Sequence, residues 1–250
     1  MEKKSFVVFA VFLFVLVFAA AVPAAGADPG TVILKDVLTG AETTYENISD
    51  AVEAASPGST ITVGAGEYAE AFVIDKTLTI NGDPGAKIIG TNQEFVVDIS
   101  ASGVTLNGLE IVCPDDGNES AAIRLSFDNF TGSSPVTITN CLLNGNMAAD
   151  NGIEGRDDLS NGTLIVEGNI IKNFYYEGIN LYEHLDEIEE SSLTFRDNKI
   201  YNDPEEGLLS YGIDLDVDHF NNTILIEGNE IEAEYEAIYF YNVYDPAMNY

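Results

Sequence analysis

Alternating apolar and polar positions recur along the chain from about residue 58, which is the pattern of β-strands with one buried face. In five segments an alternating strand leads into a turn containing Gly or Asn, after which an apolar residue resumes: Val104–Ile111, Val136–Leu143, Leu164–Ile171, Leu193–Ile200 and Ile224–Ile231. Their starts lie 32, 28, 29 and 31 residues apart. Asn169, Asn198 and Asn229 occupy the same turn position in the last three copies.

A second strand follows each copy, with a small residue, an isoleucine and a polar residue in succession. These strands begin at Ala122, Gly152, Gly178, Gly212 and Ala237. A unit of 25 to 34 residues with several short strands cannot bury its own apolar face, so stacked copies must cover one another. The pattern predicts an all-β, single-stranded right-handed parallel β-helix of roughly seven coils. A β-sandwich also has many short strands, but it does not explain the matched spacing.

A short helix is predicted ahead of the first coil. Ile48, Ala51 and Val52 form an apolar face within residues 48–56, Ser49 is a suitable N-cap, and Pro57-Gly58 ends the helix. We therefore expect residues 28–47 to be a lead-in and residues 48–250 to form one β-helix domain that includes cap helix 48–56. No comparable cover follows the last strand, so that end is expected to be open or to stack end to end on another β-helix chain.

The N-terminal residues 1–27 have the three parts of a secretory signal peptide. Lys3 and Lys4 precede an apolar run from Phe6 to Val22, and Ala25-Gly26-Ala27 forms a cleavage site. The alternative is an uncleaved membrane anchor, because the run is near the lower length limit for a spanning helix. With cleavage after Ala27, we expect a secreted or cell-surface protein with no membrane span.

Acidic residues dominate the composition. The 250 residues include 42 Asp and Glu against 10 Lys and Arg, with a net charge of −32, yet 46% of the chain is apolar. The apolar content argues against disorder, and the charge argues against a nucleic-acid partner because phosphate backbones are repelled.

Two further features, the glycosylation sequons and the cysteines, become relevant if the chain is exported. Five Asn-x-Ser/Thr sequons offer glycosylation sites, although chance sequons are frequent in a chain rich in these residues: Asn47, Asn118, Asn129, Asn161 and Asn221. Cys113 and Cys141 either form a disulfide or are two buried thiols.

The start of the repeat region resembles a known superfamily. Residues Asp50–Val63, Gly64–Tyr68 and Ile74–Gly82 resemble the opening of pectin-lyase-like right-handed β-helix proteins, in which a cap helix leads into coil one. The Gly-Asn-x-Ile turns are similar to that superfamily's carbohydrate-binding and sugar-hydrolase repeats, and the resemblance covers residues 48–243. It implies the fold more strongly than an activity, because one such rod supports lyases, esterases, hydrolases and non-catalytic proteins.

The signatures of the active families are incomplete in this chain. Val217-Asp218-His219 is similar to the end of a pectate-lyase strand, but the chain has no Trp. Asp157-Asp158 matches one polygalacturonase signature without its two companions, and no pectin-methylesterase Asp-Phe-Ile-Phe-Gly strand is found.

The second strand series predicts a polar face. If its isoleucines point inward, the residues that follow them point outward and form rows across the coils. The first predicted row is Arg124, Glu154, Asn180, Asp214 and Tyr239; the second is Ser126, Arg156, Tyr182, Asp216 and Tyr241; the third is Asp128, Asp158, His184 and Asp218.

This face combines aromatic rings, which pack on the apolar faces of sugars, with planar polar groups, which bind sugar hydroxyls. It is therefore a candidate carbohydrate site. The proposed ligand-binding residues are Arg124, Arg156, Asn180, Tyr182, His184, Asp214, Asp216, Asp218, Tyr239 and Tyr241. Asp214, Asp216 and Asp218 are candidates for a Ca²⁺ site, the one cofactor considered. A transition-metal site is not expected from His184 and His219, which have no matched third ligand.

Three functional alternatives follow for this face. The favoured one is non-catalytic binding of a polysaccharide or another cell-envelope component, in an adhesion or envelope-structural role. The second is a polysaccharide lyase or carbohydrate esterase that acts on acidic polysaccharide through Asp214, Asp216 and Arg156. The third is that the carboxylates are only the solvated side of alternating strands.

Overall fold

A computed structural model gives the fold of the chain. The structure describes residues 30–91, 94–114, 121–126, 134–156, 159–160, 162–181, 188–189, 191–216 and 223–241. Helix α1 spans Ile48–Ala54. The strands are β1 (Val32–Lys35), β2 (Glu42–Tyr45), β3 (Ser59–Val63), β4 (Gly66–Ala69), β5 (Phe72–Ile74), β6 (Leu78–Gly82), β7 (Ala86–Ile89), β8 (Phe95–Ile99), β9 (Thr105–Asn107), β10 (Glu110–Val112), β11 (Ala121–Ser126), β12 (Val136–Thr139), β13 (Leu142–Asn144), β14 (Asn151–Arg156), β15 (Leu159–Ser160), β16 (Thr163–Glu167), β17 (Ile170–Lys172), β18 (Glu177–Leu181), β19 (Ile188–Glu189), β20 (Ser192–Arg196), β21 (Lys199–Tyr201), β22 (Leu209–Asp216), β23 (Thr223–Glu227), β24 (Glu230–Ile231) and β25 (Ala233–Tyr241).

Three long sheets confirm the predicted parallel β-helix. The first sheet has the order β2-β1-β3-β6-β9-β12-β16-β20-β23, the second β4-β7-β10-β13-β17-β21-β24 and the third β5-β8-β11-β14-β18-β22-β25. Each coil gives one strand to each sheet, so the seven strands of the second and third sheets correspond to seven coils. At about 4.8 Å per coil the stack is about 34 Å long. Strands β15 and β19 form a small additional parallel pair.

The core lies between the sheets and follows the predicted isoleucine series. Ile123, Ile153, Ile179 and Ile213 are paired in register on adjacent strands of the third sheet, and each is fully buried. Burial of such a side chain contributes about 1.5–3 kcal/mol. Glycine precedes Ile179 because a Cβ at Gly178 would overlap the Cγ2 of Ile200. The small residue of the repeat is therefore required by contact with the following coil.

Two buried asparagines and one half-buried asparagine join the last three coils at the turn between the first and second sheets. The Asn169 side-chain amide donates to Asn198 Oδ1 at 3.0 Å, and the Asn198 amide donates to Asn229 Oδ1 at 2.9 Å. Each amide also donates to a backbone carbonyl oxygen on the preceding coil. Asn169 donates to Ile138 and Asn198 donates to Val166, both at 2.8 Å. The repeated turn residue is thus a continuous hydrogen-bonded asparagine ladder.

Helix α1 covers the first coil, as predicted, but its cap differs from the prediction. The N-cap residue is Asn47 rather than Ser49, the helix ends at Ala54 rather than residue 56, and the Asn47 side chain makes no capping hydrogen bond. Instead the Glu70 carboxylate accepts from the backbone N–H groups of Ile48 at 2.8 Å and Ser49 at 2.9 Å. A distant acceptor satisfies the helix terminus, so a local capping motif is not needed.

The other end of α1 is also capped from the first coil. The Lys76 ammonium group donates to the carbonyl oxygens of Val52 at 3.3 Å and Glu53 at 3.4 Å. In the predicted lead-in, β1 pairs antiparallel with both β2 and β3, so these residues extend the first sheet.

Candidate functional site

The outer face of the third sheet carries the predicted rows in register. The middle row is Asp98, Arg124, Glu154, Asn180, Asp214 and Tyr239. Its last five members are the row predicted from the sequence, and Asp98 extends it by one coil. A second row, three residues earlier on each of these strands, is Phe95, Ala121, Asn151, Glu177, Tyr211 and Glu236. Neighbouring members of a row are about 4.8 Å apart along the stack.

Most of the middle row is buried, which corrects the expectation of a solvent-facing row. Exposure is 4% for Asp98, 2% for Glu154, 3% for Asn180 and 5% for Asp214. Alternation placed these residues on the outer face correctly, but it did not show that the face is covered. Buried charged groups require partners, so the interactions within the row decide which side chains are available to a ligand.

Arg124 is already engaged by its neighbours. Its Nη2 lies 2.6 Å from Asp98 Oδ2 and its Nη1 2.9 Å from Glu94 Oε2. The guanidinium carbon is 4.2 Å from the centre of the Phe95 ring, and Ser126 Oγ donates to Asp98 Oδ1 at 2.9 Å. Burial lowers the pKa of Arg124, but the two carboxylates outweigh it and leave the pKa raised. We conclude that this predicted ligand-binding residue mainly joins the second coil, β6 to β8, to the third coil, β9 to β11.

Arg156 is the second predicted arginine, and it pairs along its own strand. Its Nη2 lies 3.3 Å from Glu154 Oε1, and 35% of its side chain remains exposed. On the same strand Asn151 turns its amide to donate to Glu177 Oε2 of the next coil at 2.6 Å, and the Asn180 amide lies 3.5 Å from the same oxygen. The central part of the face is therefore an internally bonded polar surface with Arg156 at its accessible edge.

Aromatic rings gather at the C-terminal end of the face. The Tyr211 ring centre is 5.3 Å from that of Tyr239 and 5.7 Å from that of Tyr235. Partial burial raises the pKa of Tyr211, and Tyr239, Asp214 and Glu236 raise it further. Tyr235 is 65% exposed, so the cluster presents a ring to solvent beside the buried carboxylate row.

A second tyrosine pair lies next to this cluster. The rings of Tyr175 and Tyr176 pack edge to face with centres 4.7 Å apart, and both are exposed. The Tyr176 carbonyl accepts backbone hydrogen bonds from Ser210 at 2.8 Å and Tyr211 at 3.3 Å, which ties the pair to β22.

Sequence reasoning selected only Tyr239 of these rings. Tyr175, Tyr176, Tyr211 and Tyr235 precede the small residue of the second strand series by one to three positions, and that recurrence is the signal that was available.

The remaining predicted site residues are only partly described. Asp216 and Tyr241 are paired in register on β22 and β25, whereas Tyr182, His184 and Asp218 lie outside the described residues. Arg156 is on β14 and Asp216 is on β22, two coils further along the stack. The two strands are therefore separated by about 9.6 Å. Within the described residues no three acidic, Cys or His side chains form a metal-binding group, so calcium at Asp214, Asp216 and Asp218 stays a prediction.

The cysteines and sequons complete the predicted sites. Cys113 and Cys141 are both buried and are not joined by a disulfide in the described structure, which corresponds to the second of the two alternatives. Burial raises the pKa of the Cys141 thiol to about 11. Asn47 is exposed at the start of α1, and its amide donates to Asp50 at 3.0 Å. Asn118, Asn129, Asn161 and Asn221 lie outside the described residues.

No protein-family model, curated protein or solved structure matches this chain. In the part of the chain that the structure describes, no helix has the length and apolar character needed to cross a membrane.

Proposed function

We propose that the chain is an exported, non-catalytic polysaccharide-binding rod whose ligand lies along the outer face of the third sheet. The single observation that carries the proposal is the cluster of Tyr211, Tyr235 and Tyr239 beside the carboxylate of Asp214. Tyrosine rings pack on the apolar faces of sugars, and adjacent polar groups bind the hydroxyls. Regular coil spacing supports binding of a repeating polymer rather than a single small molecule.

The charge of the face favours neutral or amino sugars over acidic ones. Its two described rows contain five carboxylates against one arginine, Arg124, and both Arg124 and the neighbouring Arg156 pair with carboxylates. A polyuronate would meet unfavourable carboxylates, whereas an ammonium-bearing sugar would be attracted by them and by the tyrosine rings. We therefore propose a polysaccharide of neutral or cationic sugars, with export directed by residues 1–27.

The second candidate, an enzyme acting on acidic polysaccharide, receives less support from the same geometry. Asp214 is 5% exposed, and the Arg156 guanidinium pairs with Glu154. A catalytic group must reach the substrate within hydrogen-bonding distance, and neither side chain is free to do so without local rearrangement.

One experiment separates these candidates. The purified chain is incubated with a neutral glucan, an amino polysaccharide and a polyuronate, each with and without Ca²⁺, while binding and new chain ends are measured together. We expect binding to the neutral or amino polymer without new chain ends. New chain ends would replace the proposal with the enzyme alternative, and no binding to any polymer would contradict it.

A further inference from the structure

In the last described coil the core side chains are only partly covered. Strands β23, β24 and β25 are the outermost strands of their sheets, with no strand on their far side among the described residues. Phe240 is in register with Leu215, which is fully buried, yet Phe240 is 44% exposed. Ile224 and Ile226 are likewise only partly buried, whereas their register partners Leu193 and Phe195 are fully buried. The open end is an apolar surface bounded by strand edges.

The asparagine ladder is also unfinished at this end. The backbone N–H of Asn169 donates to Asn198 Oδ1 and that of Asn198 to Asn229 Oδ1, each at 3.0 Å. Within the described residues the backbone N–H of Asn229 has no acceptor at the equivalent position. A further coil with an oxygen at the same turn position would supply that acceptor.

Charge identifies the kind of strand that fits. Arg196 pairs with Glu167 of the preceding coil, Nη2 to Oε2 at 2.8 Å, and its register partner on the following coil is Glu227. Lys199 lies 3.6 Å from Glu230. The first column thus alternates acidic and basic residues over three coils, the second places Lys199 against Glu230, and both columns reach exposed glutamates three residues apart on the last described coil.

The rest of the last coil is acidic too. Between residues 223 and 241 the charged residues are Glu227, Glu230, Glu232, Glu234 and Glu236, with no Lys or Arg. A second copy stacked through the same end would place glutamates against glutamates, so self-association through this end is disfavoured.

We propose that the C-terminal edge of the rod, formed by β23, β24 and β25, docks a basic parallel β-strand coil of another polypeptide. The docking strand carries cations three residues apart, facing Glu227 and Glu230, with an oxygen-bearing side chain between them to accept from Asn229. The chain contains a template for this partner in Arg196-Asp197-Asn198-Lys199, which occupies the same position on coil six. The inference is independent of the proposed polysaccharide function.

A labelled peptide with the sequence of residues 192–201 is the direct probe, titrated into the full chain at low salt with fluorescence anisotropy as the readout. Its control peptide replaces both cations with Glu. We expect saturable binding of the first peptide only. Each of the exposed-residue variants Glu227→Gln and Glu230→Gln should weaken binding about threefold, as loss of one exposed ion pair does. The matched control Glu42→Gln, at the other end of the rod, should leave it unchanged.

Equal binding of both peptides, or no binding of either, would overturn the proposal. Sedimentation of the chain alone gives a second test. A monomer at low and high salt is expected. A dimer that Glu227→Lys abolishes would instead assign the edge to a second copy of the chain. Peptide binding that appears only after removal of residues 242–250 would assign the edge to the chain's own C-terminus.

Discussion

At the residue scale, buried amides carry much of the specificity of the stack. Asn198 is 1% exposed, and its side chain makes hydrogen bonds to coils on both sides of its own. Such a residue cannot be replaced by an apolar one without leaving buried backbone groups unpaired. The sequence pattern predicted this register position, because the three asparagines recur at equivalent turns, but hydrogen bonding across coils depends on packing that the pattern does not contain.

Replacing Asn198 with Ala tests the ladder. We expect a loss of about 3 kcal/mol in the free energy of unfolding, because the N–H of Asn169 and the carbonyl of Val166 each lose a partner. Urea unfolding followed by circular dichroism measures it. The control Asn107→Ala removes an amide that bonds only side chains on the outer face and should cost less than about 1 kcal/mol. Equal losses would contradict the ladder's role.

The burial of Asp98 and the partial burial of Arg124 were not predictable from alternation. Asp98 lies 26 residues before Arg124, in a coil where the isoleucine of the series is replaced by Val97. The isoleucine pattern therefore does not extend to the coil that contains Asp98. The tyrosine cluster was missed for a related reason, since Tyr211 shares a row with Ala121, Asn151 and Glu177, which have no common residue type.

At the scale of elements, side chains from one coil secure the turns and caps of another. Glu70 and Lys76 hold the two ends of α1, and Asp203 joins the turn after β21 to the turn after β17. The sequence predicted that a cap helix exists, because its apolar spacing is local. It gave the wrong N-cap because the acceptor lies about 22 residues downstream of the helix start.

Removing the Glu70 carboxylate should loosen the cap helix. We expect Glu70→Ala to destabilise the chain by about 1 kcal/mol, because two helix N–H groups lose their acceptor. Thermal and urea unfolding provide the measurement. Glu67→Ala removes a neighbouring exposed carboxylate paired with Lys87 and should change stability by less than about 0.5 kcal/mol. An unchanged free energy of unfolding in Glu70→Ala would show that the helix is held by its apolar face alone.

The Asp203 clamp predicts a pH dependence. Hydrogen bonds from Asn173 and Lys172 hold the pKa of Asp203 below its ordinary value of 3.8. Its contribution to stability is therefore complete above pH 3.8 and is lost as the pH falls through the lower pKa of the folded state.

Stability curves at pH values between about 5 and 3 test the clamp. We expect the free energy of unfolding to fall less for Asp203→Asn than for the wild type over this interval. Addition of Lys172→Met should leave the slope of that variant's free energy of unfolding against pH unchanged. A variant slope equal to that of the wild type would rule out the clamp as a source of acid sensitivity.

At the scale of the whole molecule, regular coils coexist with a large negative charge. The repeat spacing predicted a parallel β-helix of roughly seven coils because each strand pairs with its counterpart one repeat later, and the structure arranges these strands in three long sheets. The whole chain has a net charge of −32 with only 10 Lys and Arg, so like-charge repulsion opposes the compact state.

Salt should therefore stabilise the chain. The Debye length falls from about 10 Å at 0.1 M to about 3 Å at 1 M, which screens repulsion between exposed carboxylates. We expect the urea midpoint to rise as NaCl increases over this range, with ionic-strength-matched KCl giving the same shift. A falling midpoint would mean that the ion pairs, rather than the repulsion, dominate the electrostatic free energy of folding.

The central claim is that the tyrosine cluster binds polysaccharide, and one affinity ratio tests it most directly. The dissociation constant for the polymer that the chain binds is measured for the wild type and for the double variant Tyr235→Ala/Tyr239→Ala, with Tyr201→Ala on the second sheet as control. The account predicts about tenfold weaker binding for the double variant and no change for the control. Equal affinities for all three proteins would contradict it.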